Sequence, residues 1–387
     1  MFRSSRRLAR VVSSSARSWL WPRALFANPL LLCTAALEAE SDAKRRKRGE
    51  EQHESMRPRI GTHNGTFHCD EVLACFLLRR LPRYQDAEII RSRDPKLLAE
   101  CDVVVDVGGE YEPHKHRYDH HQRSFAETMN SLRPEKPWQT KLSSAGLVYV
   151  HFGSEILASI LDTDENDSRI PKLYDKLYEN FIEEIDALDN GISQWDGEPR
   201  YAITTNLSAR VGHLNPRWNS DDQNTEVGFR NAMELVGREF LDRLDFFQHS
   251  WLPARSLVEE AVHKRFEVDT SGEIVIFAQG GCPWKEHLFH LEEELGIEKS
   301  IKFVLYADQN SKWRVQCVPV ACNTFQNRLP LLESWRGLRD EELSKICGIP
   351  GCIFVHANGF IGGNQTREGA LQMAQKTLTA QETANEK

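Results

Sequence analysis

Val103-Val104-Val105-Asp106-Val107, closed by Gly108-Gly109, is the stretch that most narrows what this chain can fold into. A continuous β-branched run of this kind reads as a strand buried on both faces, which occurs in parallel sheets covered by helices. The flanking pattern agrees. Arg59–His63 reads as a strand leading into an apolar-periodic helical run, Cys69–Leu81; Glu88–Arg91 reads as a strand and Pro95–Glu100 as a short helix. The expected fold class is therefore α/β with a parallel sheet. Such sheets place their chemistry at the carboxyl ends of strands, and His63 and Asp106 both fall at or near such ends.

A polar loop, Arg123–Lys141, precedes a helix opened by Ser143-Ser144 as cap candidates. Helical patterns follow at about 172–188, 224–247 and 252–266. Strands expected at Ile274–Ala278, Ile301–Ala307, Trp313–Val318 and Ile353–His356, with a helix over Thr366–Thr379, form a second, smaller α/β unit. The expected division is a leading segment, 1–57, a first domain, 58–250, and a second domain, 251–387.

Six of the fourteen histidines lie between His63 and His121. His63, His68 and Asp70 share the first strand-to-helix turn, Asp106 ends the valine strand, and Asp119-His120-His121 follows. Imidazole and carboxylate donors without thiolate suit Mn²⁺, Co²⁺, Fe²⁺ or Zn²⁺ better than an all-oxygen Mg²⁺ or Ca²⁺ site. Ligands from separate strand ends can hold two ions close together, and such a pair clamps the oxygens of a phosphoryl displacement. His114 and His116, between charged neighbours, read as solvated loop, and Cys69 and Glu71 as packing or capping residues.

Two other segments carry polar chemistry. Asn358–Gly369 joins a strand to a helix and contains Gly362, Gly363 and Arg367; paired glycines let backbone N–H groups approach a phosphate, and Arg367 can grip one bidentately. Pro283–His287 with His290 forms an exposed-looking aromatic and basic cluster, suited to stacking a base or to anchoring a domain interface. Lys141 is a weaker candidate phosphate contact. The nine cysteines are scattered without a C-x-x-C pair, as expected of reduced, mostly buried thiols.

Residues 1–37 contain six arginines, six serines and no acid, the composition of a mitochondrial transit peptide. Lys44-Arg45-Arg46-Lys47-Arg48 fits a nuclear localisation signal. Residues 1–57 carry 12 basic and 6 acidic side chains, so of the net charge of -8 the rest of the chain carries -14. Bulk attraction cannot hold a polyanion on such a surface; a local basic groove or bound cations must do it. No stretch reaches the roughly 18 uninterrupted apolar residues of a spanning helix, and no membrane partner is expected.

The Asp119-His120-His121 triplet, the strand-terminal Asp106 and the His/Asp-rich first turn resemble the DHH phosphoesterase superfamily. More closely, Gly61–Glu71, Val105–Tyr111, Tyr118–Gln122 and Asp189-Asn190-Gly191-Ile192-Ser193 resemble the Myg (melanocyte-proliferating-gene) family, over about 58 to 378. The resemblance implies a 3'-to-5' RNA exonuclease of the mitochondrial matrix and nucleus, with a DHH-type catalytic domain, a C-terminal substrate domain and two divalent ions, expected to be Mn²⁺. It implies His63, His68 and Asp70 as first-turn ligands, Asp106 bridging two ions, His120 on the second ion and Asp189 closing the set. His121 would meet the scissile phosphate and Asp119 orient the histidines. Gly362 and Gly363 resemble the superfamily's glycine-rich substrate motif. His68 departs from the wider pattern, where aspartate is frequent, and Asn364 stands where many relatives carry histidine. The rival readings are a manganese-type small-molecule phosphatase or pyrophosphatase, and a non-catalytic RNA-binding protein.

Overall fold

The computed structural model describes residues 57–385; the transit-peptide and basic-run expectations lie outside them. The architecture is α/β, with two five-stranded mixed sheets. The first contains β1 (Arg59–Thr62), β2 (Glu88–Arg91), β3 (Val103–Val105), β4 (Tyr111–Glu112) and β5 (Arg117–Tyr118), in the order β2-β1-β3-β5-β4. Four strands run parallel and β4 returns antiparallel to β5. The valine strand is fully buried, as its composition requires. It stops at Val105 because Asp106 turns into the left-handed region, φ 57°.

Helix α1 (Cys69–Leu78) is buried at every residue, so no amphipathic stripe marks it. It packs against α2 (Ser144–Leu161), the one described helix long and apolar enough to cross a membrane; 67% of it is buried, the place of a core helix. Ser143 caps α2, accepting from the Gly146 N–H. Gly146 is glycine for space: a Cβ there would lie 2.3 Å from Asp186 Oδ1. Gly146→Ala is expected to cost about 2 kcal/mol by overpacking, read as a lowered urea midpoint at unchanged m-value.

Helices α3 (Ile170–Leu177) and α4 (Glu183–Asp189) are joined by a π-helical turn, Tyr178–Ile182. Then α5 (Leu207–Gly212) and α6 (Glu226–Phe246) cover α1. A second π-helical turn, Phe247–Trp251, runs into α7 (Leu252–His263); the sequence-based division near 250 falls in it.

The second sheet contains β6 (Ile274–Phe277), β7 (Phe303–Ala307), β8 (Trp313–Cys317), β9 (Cys352–Val355) and β10 (Ile361–Asn364), ordered β6-β7-β8-β10-β9. Helices α8 (Lys285–Glu294) and α7 share a buried cluster with Val275, Phe277 and Val304. Helices α9 (Asp340–Cys347) and α10 (Arg367–Asn385) share another with Ile274, Phe303 and Val315. The expected exposed cluster divides: Trp284 and His287 are buried, while Lys285 and His290 are exposed. His287 Nε2 lies 2.7 Å from the Trp251 carbonyl oxygen, and Glu286 pairs with Lys176. These residues anchor α8 to the first half of the chain.

Candidate metal centre

The carboxyl ends of β1 and β3, the residues after β5 and the last residue of α4 converge on one cluster. His63 is buried; its Nδ1–H donates to the Asn64 carbonyl (3.1 Å), because a carbonyl can only accept. That fixes Nε2 toward Glu71 Oε1 (3.1 Å) and Asp106 Oδ2 (3.3 Å), the orientation of a metal-ligating imidazole with its second nitrogen tied to backbone. His120 Nε2 faces three carboxylates: Asp189 at 3.0 Å, Asp106 at 3.4 Å and Asp70 at 4.0 Å. Asp106 lies between the histidines, one oxygen toward each, and Oδ1 also accepts from the Ser144 hydroxyl (3.1 Å).

Three groups of donor atoms each lie within 4.8 Å of one another: His63, His68, Glu71 and Asp106; Asp106, His120 and His121; and Asp70, His120 and Asp189. Asp106 appears in two of them and His120 in two. The three groups are therefore joined through these two side chains into one cluster of donors.

A divalent cation fits this donor set on a direct observation. Both Asp70 oxygens and His120 Nδ1 are buried without a hydrogen-bond partner, and His120 Nε2, crowded by three carboxylates, makes no well-aligned hydrogen bond to any of them. Buried polar atoms are ordinarily satisfied, and the exceptions require an explanation such as an ion. The electrostatics agree. Burial, and repulsion from Asp106, Asp189 and Glu71, push Asp70 well above the usual carboxylate range. Burial opposes charge on Asp106 too, but His120 and His63 hold it well below that range. Against burial, Asp106 and Glu71 push His63 up to about 10, and Asp106 and Asp189 push His120 up to about 9. Asp189 ends a helix, where a carboxylate opposes the helix dipole and a nearby cation offsets it.

Both imidazoles must lose a proton to ligate. Metal affinity is therefore expected to rise from pH 6 to 8, since the metal-free pKa values lie above that window, with up to about tenfold per unit for each proton displaced. Calorimetry in buffers of different ionisation enthalpy counts those protons, and a pH-independent affinity without proton release would contradict this electrostatic picture.

His121 is held from its other side. Its Nδ1–H donates to Asp119 Oδ1 (2.7 Å), and Asp119 Oδ2 accepts from the Gly109 N–H (2.6 Å). The ring is largely exposed, so Nε2 is left for a ligand. His121 lines an open cavity of about 250 Å³ with His63, His68, Arg93, Asp106, Val107 and Asp119.

Among the other expected residues, Lys141 places its ammonium 5.6 Å from the Phe125 ring centre, and Phe125 packs edge-on to His120. Gly362 and Gly363 lie inside β10, flanked by β8 and β9, rather than in a turn. A Cβ on Gly362 would meet Leu331 and Met373, and one on Gly363 would meet Arg314 and Phe354. Arg367 lines a different cavity, with Lys264 and Gly280. His114 and His116 join none of the three donor groups.

Sequence reasoning missed Glu71, Ser144 and Arg93 as site residues. Glu71 does cap α1, both oxygens accepting from the His68 N–H at 2.9 and 3.0 Å, but the same carboxylate also faces His63. Glu71→Ala is expected to cost about 1–2 kcal/mol through the lost cap and to weaken metal binding; thermal unfolding with and without metal separates the two losses. Arg93 donates from Nη1 to the Asn64 carbonyl and brings a guanidinium to the cavity wall.

The MYG1_exonuc family model, described as an uncharacterised protein family (UPF0160), matches residues 59–378. A protein named MYG1 exonuclease from Rattus norvegicus is 70% identical over 328 residues, covering 84% of this chain and 86% of the relative. One of the same name from Homo sapiens is 70% identical over 322 residues, covering 83% and 86%. A MYG1 protein from Dictyostelium discoideum is 53% identical over 323 residues, covering 82% and 96%.

Proposed function

Because the chain belongs to the MYG1_exonuc family, we propose that it is a metal-dependent nuclease, more narrowly a 3'-to-5' RNA exonuclease using two divalent ions, Mn²⁺ by preference, in the mitochondrial matrix and nucleus. The nuclease reading is supported by the relatives' names. Its strongest structural support is the buried donor set of Asp70, His120, Asp106 and Asp189, in which the Asp70 oxygens and His120 Nδ1 make no hydrogen bond. RNA, polarity and compartments rest on the family likeness and the leading segment.

His63, His68, Asp70, Asp106, His120 and Asp189 would hold the ions, with Glu71 beside His63. Bound there, divalent ions supply Lewis acidity toward a phosphodiester and lower the pKa of water. The chain's own residues do the rest. Asp119 accepts from the His121 Nδ1–H, and in the imidazolium form the Nε2–H would donate to a phosphate oxygen. Arg93 brings positive charge to the cavity wall, Lys141 stands over Phe125, whose ring packs against His120, and Ser144 restrains the Asp106 carboxylate.

Labelled RNA tests this reading with each candidate ion. RNA labelled at its 5' end should shorten as a ladder, and RNA labelled at its 3' end should release labelled mononucleotide at once. Hydrolysis of pyrophosphate alone, or RNA binding without mononucleotide release, would sink it in favour of the corresponding rival.

A further inference from the structure

Residues 193–205 follow closely on Asp189 and form no hydrogen bond or ion pair with any described residue. Thirteen consecutive residues without such a bond, in a chain otherwise densely paired, leave the backbone polar groups to solvent. Loops of this length inside compact proteins are uncommon and mostly functional. This one exposes large side chains: Tyr201 is 71% and Trp195 39% exposed. A second such residue cluster lies just beyond α5, where Trp218 is 92% exposed.

Both segments are tied to the metal centre. The first follows Asp189, which lies 3.0 Å from His120, and Asn190, whose Nδ2 donates to the Lys141 carbonyl (3.0 Å). The second is clamped by Asn215, whose side chain accepts from the Phe67 N–H (3.0 Å) and donates to the Phe67 carbonyl (2.8 Å), beside His68. Each exposed ring also has a cationic neighbour in sequence, Arg200-Tyr201 and Arg217-Trp218. Both arginines are exposed and pair with no described carboxylate. In a protein whose described part is strongly acidic, two guanidinium–aromatic doublets on segments that lead from the metal centre offer chemistry complementary to a polyanion with π-faces.

We propose that Arg200-Tyr201 and Arg217-Trp218, with Trp195, dock the single-stranded nucleic acid whose terminal phosphodiester sits at the metal centre, an inference that rests on the nuclease reading. Guanidinium groups take backbone phosphates and the rings stack bases, the sequence-tolerant mode of single-strand binding. The unbonded segment orders against the strand as it enters.

The test compares a short oligouridylate with bis(p-nitrophenyl) phosphate, a small phosphodiester that needs only the metal centre, using the full chain with Mn²⁺. Trp218→Ala and Tyr201→Ala should each raise KM for the oligonucleotide about tenfold, with kcat and the small-substrate rate held within about twofold. Trp218→Phe and Tyr201→Phe should restore most of the loss, and Arg200→Gln with Arg217→Gln should flatten the salt dependence of KM. An unchanged KM in the Tyr201→Ala, Trp218→Ala double variant would overturn the proposal and leave the rings to a protein partner. An equal fall on both substrates would overturn it as well. Wild type that turns over the small diester and no oligonucleotide would instead remove the nuclease reading beneath it.

Discussion

Asp106→Asn is expected to lower kcat/KM on RNA by about a thousandfold or more, roughly 4 kcal/mol of transition-state stabilisation. The carboxylate stands between His63 and His120, one oxygen toward each, and belongs to two of the three donor groups. Its loss therefore weakens both halves of the centre together. Asparagine is the informative replacement because it tolerates the left-handed backbone at φ 57° and keeps the side-chain shape. The folded protein should persist, so thermal unfolding of the metal-free variant should stay near that of the metal-free wild type. Metal content and RNA hydrolysis are measured on the same preparation. Wild-type turnover by Asp106→Asn with manganese supplied would remove Asp106 from the centre.

Stripping divalent ions is expected to destabilise the whole fold. Asp70, Asp106 and Glu71 are buried together, and the Asp70 oxygens and His120 Nδ1 make no hydrogen bond. Ions that bind only the folded state add about 2.7 kcal/mol when present at a hundred times their Kd. For a chain of this size that is a shift of several degrees in Tm. Chelation should therefore lower Tm, Mn²⁺ should restore it in a concentration-dependent way, and Asp70→Asn should shrink the difference. A Tm indifferent to chelator and to added Mn²⁺ would mean that the cluster holds no ion.

The first sheet was legible where composition alone determines the outcome. Val103–Val105 is a strand because a short β-branched run has few other stable environments. The two-residue strands Tyr111–Glu112 and Arg117–Tyr118 were not legible, because His114, Lys115 and His116 between them read as surface loop and a two-residue strand has no measurable period. Gly362-Gly363 read as part of a strand-to-helix connection for the opposite reason: glycine is a weak strand former, and only the close approach of Arg314, Phe354 and Met373 explains it inside β10. Trp284 and His287 looked exposed because a short polar helix gives no sign of which face is covered.

Within the centre, the His63, His68, Asp70 turn and the Asp119-His120-His121 triplet were visible as local patterns. Asp189 was not: it lies 68 residues beyond His121, on a different helix, and only the family likeness pointed to it. Glu71 was visible as a cap, and that role is real; its second role, facing His63, depends on a fold-level juxtaposition that no spacing encodes.

The left-handed backbone at Asp106 sets two separate filters on mutation at a single position. Yield of folded protein should follow tolerance of positive φ, favouring Gly and Asn and penalising β-branched residues. Turnover should follow the presence of an anionic carboxylate at the right reach, which excludes Gly and Asn and leaves Glu a methylene too long. The two rankings overlap at aspartate, which tolerates this backbone and carries the carboxylate, and at little else. A saturation library scored separately for abundance and for catalysis should therefore show its widest disagreement at this codon, a signature by which a ligand under conformational constraint can be told from one under chemical constraint alone.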